Sequence, residues 1–269
     1  MQLAIRHETS YHYSVPLNYT IQQLRLTPRS ESQQRIVTWQ IDMPGKHHAY
    51  TDAYGNLSHM LTLSTPHSAL CIVAHGLVET TFPYRGRMID ENTLSPLIFT
   101  IPTRLTEPTN HIIAFAQGIL PQQANQVQTE HLLTLAQHIL GQVAYQSGAT
   151  MVTTTAHDAL QLGFGVCQDH AHLFLACCHS KSIPARYVSG YIDPGSGEHA
   201  ASHAWVDVWV HDVDFSGWVS IDVTHARLMS DAYCRLAIGR DYDSAAPIHG
   251  VRHGGGEETL QVSVQVVAT

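Results

Sequence analysis

The chain has 269 residues, 44% of them hydrophobic and only 13% charged, with a formal net charge of −8. That balance argues against a disordered chain and against a heavily solvated coiled coil. No lysine or arginine run marks a phosphate-binding footprint, so nucleic acid is not an expected partner. The length exceeds the usual domain of about 100–150 residues, which predicts two units. Charged residues arrive within six positions of Met1, so no secretory signal opens the chain, and the apolar runs fall well short of the roughly 20 residues that span a bilayer. Five cysteines without repeated spacing fit reduced thiols. A cytoplasmic protein with no membrane partner is expected.

In chain order, β-rich segments come first: Leu3 to Tyr13, Tyr19 to Thr27, Arg35 to Met43, Leu57 to Ser64 and Ala69 to Thr80. Pro16, Pro28, Pro44-Gly45, Gly55-Asn56 and Pro66 punctuate them at the spacing of an antiparallel sandwich. Residues 1–85 are therefore predicted to be a β-sandwich domain. Pro83, Pro96, Pro102 and Pro108 suggest a surface connector over 86–108. An α+β unit is expected over 109–269. Thr109 caps a helix that Pro121 ends, and Val127, Leu132, Leu135, Ala136, Ile139 and Val143 share one face of a second. A short helix or turn follows between Thr153 and Leu162.

The stretch Gly163-Phe164-Gly165-Val166-Cys167-Gln168-Asp169-His170-Ala171-His172 then delivers a cysteine to the start of an apolar helical stripe of Ala171, Phe174, Leu175 and Cys178. At a helix start, unpaired N–H groups and the positive dipole end favour a thiolate, the reactive form of the side chain. A nucleophile also needs a base and a group that orients it. Two predicted strands, His203 to Val210 and Trp218 to Val223, supply candidates. If His211 to Asp214 form the hairpin loop, His203 lies directly opposite Asp222 on one face. The residues alone leave open that Cys167 is a small core residue, that His203 packs on Trp205, or that Asp222 closes a turn. Val262 to Val267 are expected to add a last strand to a sheet that the sequence does not identify.

These segments carry a resemblance. Gly165 to His172, Ile183-Pro184-Ala185-Arg186-Tyr187-Val188-Ser189-Gly190-Tyr191, Ser202-His203-Ala204-Trp205-Val206, Gly217-Trp218-Val219-Ser220-Ile221-Asp222, Gly239-Arg240-Asp241-Tyr242 and Gly254-Gly255-Gly256-Glu257 resemble the bacterial transglutaminase-like family, often described as cysteine proteases. The first eighty residues resemble the β-rich region that accompanies that core. The resemblance implies a papain-like α+β core and a catalytic triad whose motif positions are Cys167, His203 and Asp222. The expected reaction is amide hydrolysis on a peptide or protein through a thioester, with protein-glutamine amine transfer as the alternative. The family follows its aspartate with proline, threonine and asparagine. Here Val223, Thr224 and His225 follow, and His225 is placed to intrude on the site.

Two other readings compete. A metal site would use Cys167, His170 and His172 with His199 and His203, but His170 and His172, two apart on a helix, point to different faces. A non-catalytic binding module would keep the core without turnover. All three candidate residue types are present, so an enzyme without cofactor or metal is the expectation.

Overall fold

The computed structural model describes residues 1–89, 94–195 and 202–269. Its first five strands are β1 (Gln2–Leu24), β2 (Gln34–Asp42), β3 (Lys46–Thr51), β4 (Leu57–Leu63) and β5 (His67–Thr80). There follow β6 (Arg87–Met88), α1 (Asn110–Ala116), α2 (Thr129–Gln142), β7 (Ala144–Tyr145), α3 (Ala156–Leu162), β8 (Phe164–Gly165) and α4 (Cys167–His179). The chain ends with β9 (Ala185–Ile192), β10 (Ser202–Asp212), β11 (Phe215–Asp222), β12 (Arg227–Leu228), β13 (Tyr233–Gly239), α5 (Tyr242–Ala245), β14 (Ile248–Gly254) and β15 (Glu258–Ala268).

The first sheet has seven strands with β1 at its centre. Two of the expected strands are one here: β1 runs through Pro16, tolerated because the pairing is irregular between His12 and Leu17 and proline can sit at such a break. Leu17 lies opposite Gly254 on one edge and His67 on the other. Each flanking row also breaks at proline or glycine, at Pro44-Gly45, at Pro66 and at Gly254-Gly255-Gly256. Side chains from the two sides of the break, Leu24, Leu61 and Leu63 on one and Leu70, Ile72 and Ala74 on the other, meet in one cluster. The expected sandwich is thus a single hydrogen-bonded sheet bent over itself, because β1 runs on through Pro16 and its neighbours, broken beside it, pair with both halves.

The second sheet runs β12-β11-β10-β9-β13, with β6 on β11. Ala204, Val206, Val208 and Val210 face α1, α2 and α4, together with Val219 and Ile221. Trp205 and Trp218 face the opposite side, against Met88 and Phe99. Residues expected as a surface connector therefore complete a core: the sheet is apolar on both faces and needs a second cover. The last strands pair with β1 of the first sheet, β14 through Ile248 to Gly254 and β15 through Glu258 to Ala268, although the division at 109–269 groups them with the second unit.

The two sheets are joined by polar matching at β13. Gln34 donates to the Arg235 carbonyl at 2.9 Å and accepts its N–H at 2.7 Å, while Asn56 does the same for Ile238 at 2.8 and 2.9 Å. Leu3, Ile5 and Val78 pack beside these bonds on Tyr191, Cys234 and Leu236. β13 thus has a partner for its backbone on both sides, and no buried edge is left unpaired there.

Candidate active site

The cysteine is set by its loop. Gly163 ends α3 at φ +73°, a left-handed conformation that costs a residue with a Cβ, and Phe164-Gly165 then pairs in parallel with Ala144-Tyr145. Val166 is the N-cap of α4, so Cys167 is the first helical residue. Asp169 folds back to accept the Val166 N–H at 2.8 Å and the Thr150 hydroxyl at 2.6 Å. A Cβ at position 165 would lie 2.7 Å from that of Asp169, so glycine is required for the aspartate to close over the turn. Burial nevertheless raises the Asp169 carboxyl above its usual range. Of the thirteen residues of α4, Cys167 alone is not buried. Cys177 and Cys178, further along the helix, are buried, and burial raises their thiols well out of the reactive range.

The candidate base His203 and its candidate orienter Asp222 lie on β10 and β11, but not in the expected register. The hairpin turn is Val213-Asp214 alone: Asp212 pairs with Phe215 and Val206 with Ile221. Continued one step, that register sets Asp222 level with Trp205, two residues from the directly opposed arrangement with His203. The displacement amounts to two residues, the period of a strand, so His203 and Asp222 keep the same face and meet diagonally. His203 Nε2 lies 2.9 Å from Asp222 Oδ2. An ionised carboxylate only accepts, so Nε2 carries the proton and Nδ1 is left for Cys167.

Burial works against a charged His203 ring, but hydrogen bonds to Asp222 and Cys167 and the charges of both outweigh it and raise the imidazole to about 10. Asp222, wholly buried, would be pushed up by desolvation; its bonds to His203 and His225 hold it far below the carboxylate range instead. The His203 ring also stacks near Trp205, at 6.1 Å between centroids. Packing on the tryptophan and pairing with the aspartate therefore coexist.

Several residues beyond the three sequence candidates shape the site. His225 does intrude: its Nδ1 donates to Asp222 Oδ2 at 2.6 Å and its backbone N–H to Oδ1 at 3.2 Å. Tyr233 gives the same carboxylate its hydroxyl proton at 2.6 Å, and Arg227 donates to that hydroxyl at 2.9 Å. Thr224 bonds His170 Nδ1 at 3.1 Å, while His170 Nε2 bonds the Val143 carbonyl at 3.0 Å. Spacing from Asp222 signalled His225. Nothing in the sequence signalled Tyr233, which reaches the site from β13 across the sheet. A cleft at His203 is also lined by Tyr145, Ile192, Asp193, Thr224, His225 and Arg227.

The metal set weighed from the sequence does not assemble. His170 is bonded to Val143 and Thr224, His172 accepts the Tyr242 N–H at 3.1 Å on another face of the helix, and His199 lies outside the described residues. Among the described residues, His203, Asp222 and His225 are the set that could hold an ion, with ligand atoms within 4.8 Å of one another. In the present arrangement both ring nitrogens carry protons toward the carboxylate, so a cation would have to displace them. No helix among the described residues is long and apolar enough to cross a membrane.

Comparison with known proteins matches this architecture. Residues 3–79 match the bacterial transglutaminase-like N-terminal region, and residues 113–223 the transglutaminase-like superfamily. An uncharacterized protein of Mycobacterium leprae (strain TN) is 29% identical over 281 residues, covering 98% of both chains. One of Mycobacterium tuberculosis (strain ATCC 25618 / H37Rv) is 30% identical over 290 residues, covering 98% of this chain and 91% of the relative. In fold, the chain is similar over its full length to a "putative cysteine protease" from Cytophaga hutchinsonii, with a TM-score of 0.75, 20% identity and 91% of that chain covered. A half-exposed cysteine at a helix start, a histidine and aspartate on neighbouring strands, and these full-length matches lead to one assignment: the chain belongs to the transglutaminase-like superfamily, with the N-terminal region of its bacterial members.

Proposed function

We propose that the protein is a cysteine-dependent amide hydrolase acting on a peptide or protein through a thioester. The observation that carries this reading is the chain of contacts from Cys167, at the start of α4, through His203 to the buried Asp222. His203 Nδ1 takes the thiol proton, and Sγ attacks the amide carbonyl carbon. The Cys167 N–H, at the helix start where it has no intrahelical partner, donates to the developing oxyanion. Collapse of the tetrahedral intermediate breaks the C–N bond, with His203 returning the proton to the departing amine. Water, deprotonated by the same ring, then hydrolyses the thioester and frees the cysteine. Asp222 holds the ring and balances its charge throughout, without taking the proton.

The free thiols fit a reducing compartment, and we place the protein in the cytoplasm on that ground. The test is to present a glutamine-containing peptide with water and a primary amine together, trap the acyl-enzyme and identify the products. Release of free acid supports hydrolysis; a new amide shows amine transfer. Thioester formation at the wild-type rate in His203→Ala would overturn the mechanism.

A further inference from the structure

The face of β1 that packs on the second sheet through Leu3 and Ile5 runs on past the point where that sheet covers it. His7 and Thr9 are still buried on this face, as is Val266 of the neighbouring β15. Further along, Val262 and Leu260, which pair with Thr9 and Tyr11 and so share the face, are 51% and 53% exposed. They line a cavity of about 200 Å³, together with Tyr242, Pro247 and Ile248. We infer, on the reading of Cys167 as the nucleophile, that this cavity is a subsite for an uncharged aromatic or large aliphatic side chain of the substrate. Two links tie it to the candidate site. Ser202 lines the cavity and is the residue before His203, and its strand partner Tyr191 bonds His7. Tyr242 donates its backbone N–H at 3.1 Å to His172, on the helix that Cys167 starts and roughly 8 Å along the axis from the cysteine. An extended peptide advances about 3.3–3.6 Å per residue, so a side chain two residues from the reacting carbonyl spans that distance.

The lining sets the chemistry of the occupant. Its buried polar groups are satisfied within the protein: His7 Nδ1 bonds the Tyr191 hydroxyl at 2.7 Å and Nε2 the Thr9 hydroxyl at 3.0 Å. Burial lowers the His7 imidazole to about 4, so the ring is neutral near pH 7. Among the described residues, no aspartate, glutamate, lysine or arginine lines the cavity. A charged side chain would lose its water there and find no opposite charge. An apolar one gains by burial against Leu260, Val262 and Ile248. The volume suits one ring, since a protein cavity of about 150 Å³ holds benzene.

Alkylating peptides test the subsite without turnover. Iodoacetyl-glycyl-phenylalaninamide carries a ring at the required distance, and iodoacetyl-glycyl-alaninamide lacks it. In each, Cys167 Sγ bonds the methylene carbon as iodide leaves. Both rates are divided by that of iodoacetamide on the same protein, so a change in the thiol itself cancels. Wild type should react about tenfold or more faster with the phenylalanine probe, the gain of burying one such side chain. Val262→Trp fills the cavity from an exposed strand position that suits tryptophan, and should bring the two rates within about twofold of each other. Leu260→Asp, which sets a charge at the rim, should do the same and decides the matter if urea unfolding shows that the tryptophan variant does not fold. Equal rates in wild type would overturn the inference, and so would a tenfold preference that survives in the folded variants. The hydrolase reading fails separately. A protein that keeps the preference in alkylation but forms no thioester with a phenylalanine-containing peptide has the subsite without the reaction.

Discussion

The two sheets of this molecule treat water in opposite ways. Every residue of β9 and β13 is buried, and both faces of the second sheet are covered. In the first sheet β3 and β14 are exposed almost throughout, and β15 buries only Val266 and half-buries Val264. A strand buried on two faces has its side-chain positions fixed by neighbours above and below, so a functional group at its end is held to a narrow range of geometries. The first sheet meets the second through β13. Damage to the second sheet should therefore abolish activity, and damage to the first should cost stability.

Removing the proposed nucleophile should give the largest effect. Cys167→Ala should abolish acyl transfer, by about 10³-fold or more, while the protein stays folded, because the side chain is only partly buried; pre-steady-state product release and urea unfolding measure the two. Asp222→Asn comes next. It leaves the shape but removes the charge shared by His203, His225 and Tyr233, and acylation should fall by about 10²–10⁴-fold.

The third expectation is a pH window. His203 is raised in the folded state, so its contribution to stability is full below its unfolded value of 6.5 and is lost as pH rises through about 10. Asp222 is depressed, so its contribution is present above 3.8 and is lost as pH falls toward its native value. The stability gap between wild type and Asp222→Asn, followed by urea unfolding, should be widest between about pH 4 and pH 6.5, shrink steadily as pH rises toward about 10, and shrink as pH falls below 3.8. In the same window, iodoacetamide should label Cys167 ahead of Cys71, Cys177, Cys178 and Cys234 at mildly acidic pH, as mass mapping would show. Equal labelling of the accessible cysteines would break the assignment.

Smaller effects on activity test the support. Asn56→Ala strips both backbone groups of Ile238 of their partner and should cost about 1–3 kcal/mol for each group left unpaired. Gly255 has φ +91°, and a Cβ there would lie 2.5 Å from Leu17 Cδ2, so Gly255→Val should destabilise by about 1–3 kcal/mol. In both variants, Cys167 alkylation below the unfolding transition should stay within about twofold of wild type. A large loss of reactivity would mean that the first sheet shapes the site directly.

Local chemistry made much of this legible. Thr109 caps α1 as expected, the alternation from Ala204 to Val210 separates the two faces of β10, and the glycine loop puts Cys167 at a helix start. These follow from periods and caps, which act over a few residues. Turn length is less legible: a four-residue loop from His211 to Asp214 and the two-residue Val213-Asp214 turn suit the same strands. His203 and Asp222 still meet, because a difference of two residues preserves the face.

The sequence by itself determined which residue types stand at each position along the strands and helices, and so which side chains the chemistry can draw on. Tertiary structure decided which of them meet. Pro16 reads as the gap between two segments, yet it is a kink in the single strand β1, because a break in one strand cannot be told from a bend until its partners are known. Tyr233 reaches Asp222, and Tyr145 lies beside the nucleophile loop, through contacts between residues 11 and 20 or more positions apart. Contacts of that range depend on how sheets and helices pack, and no period or cap in the sequence encodes them.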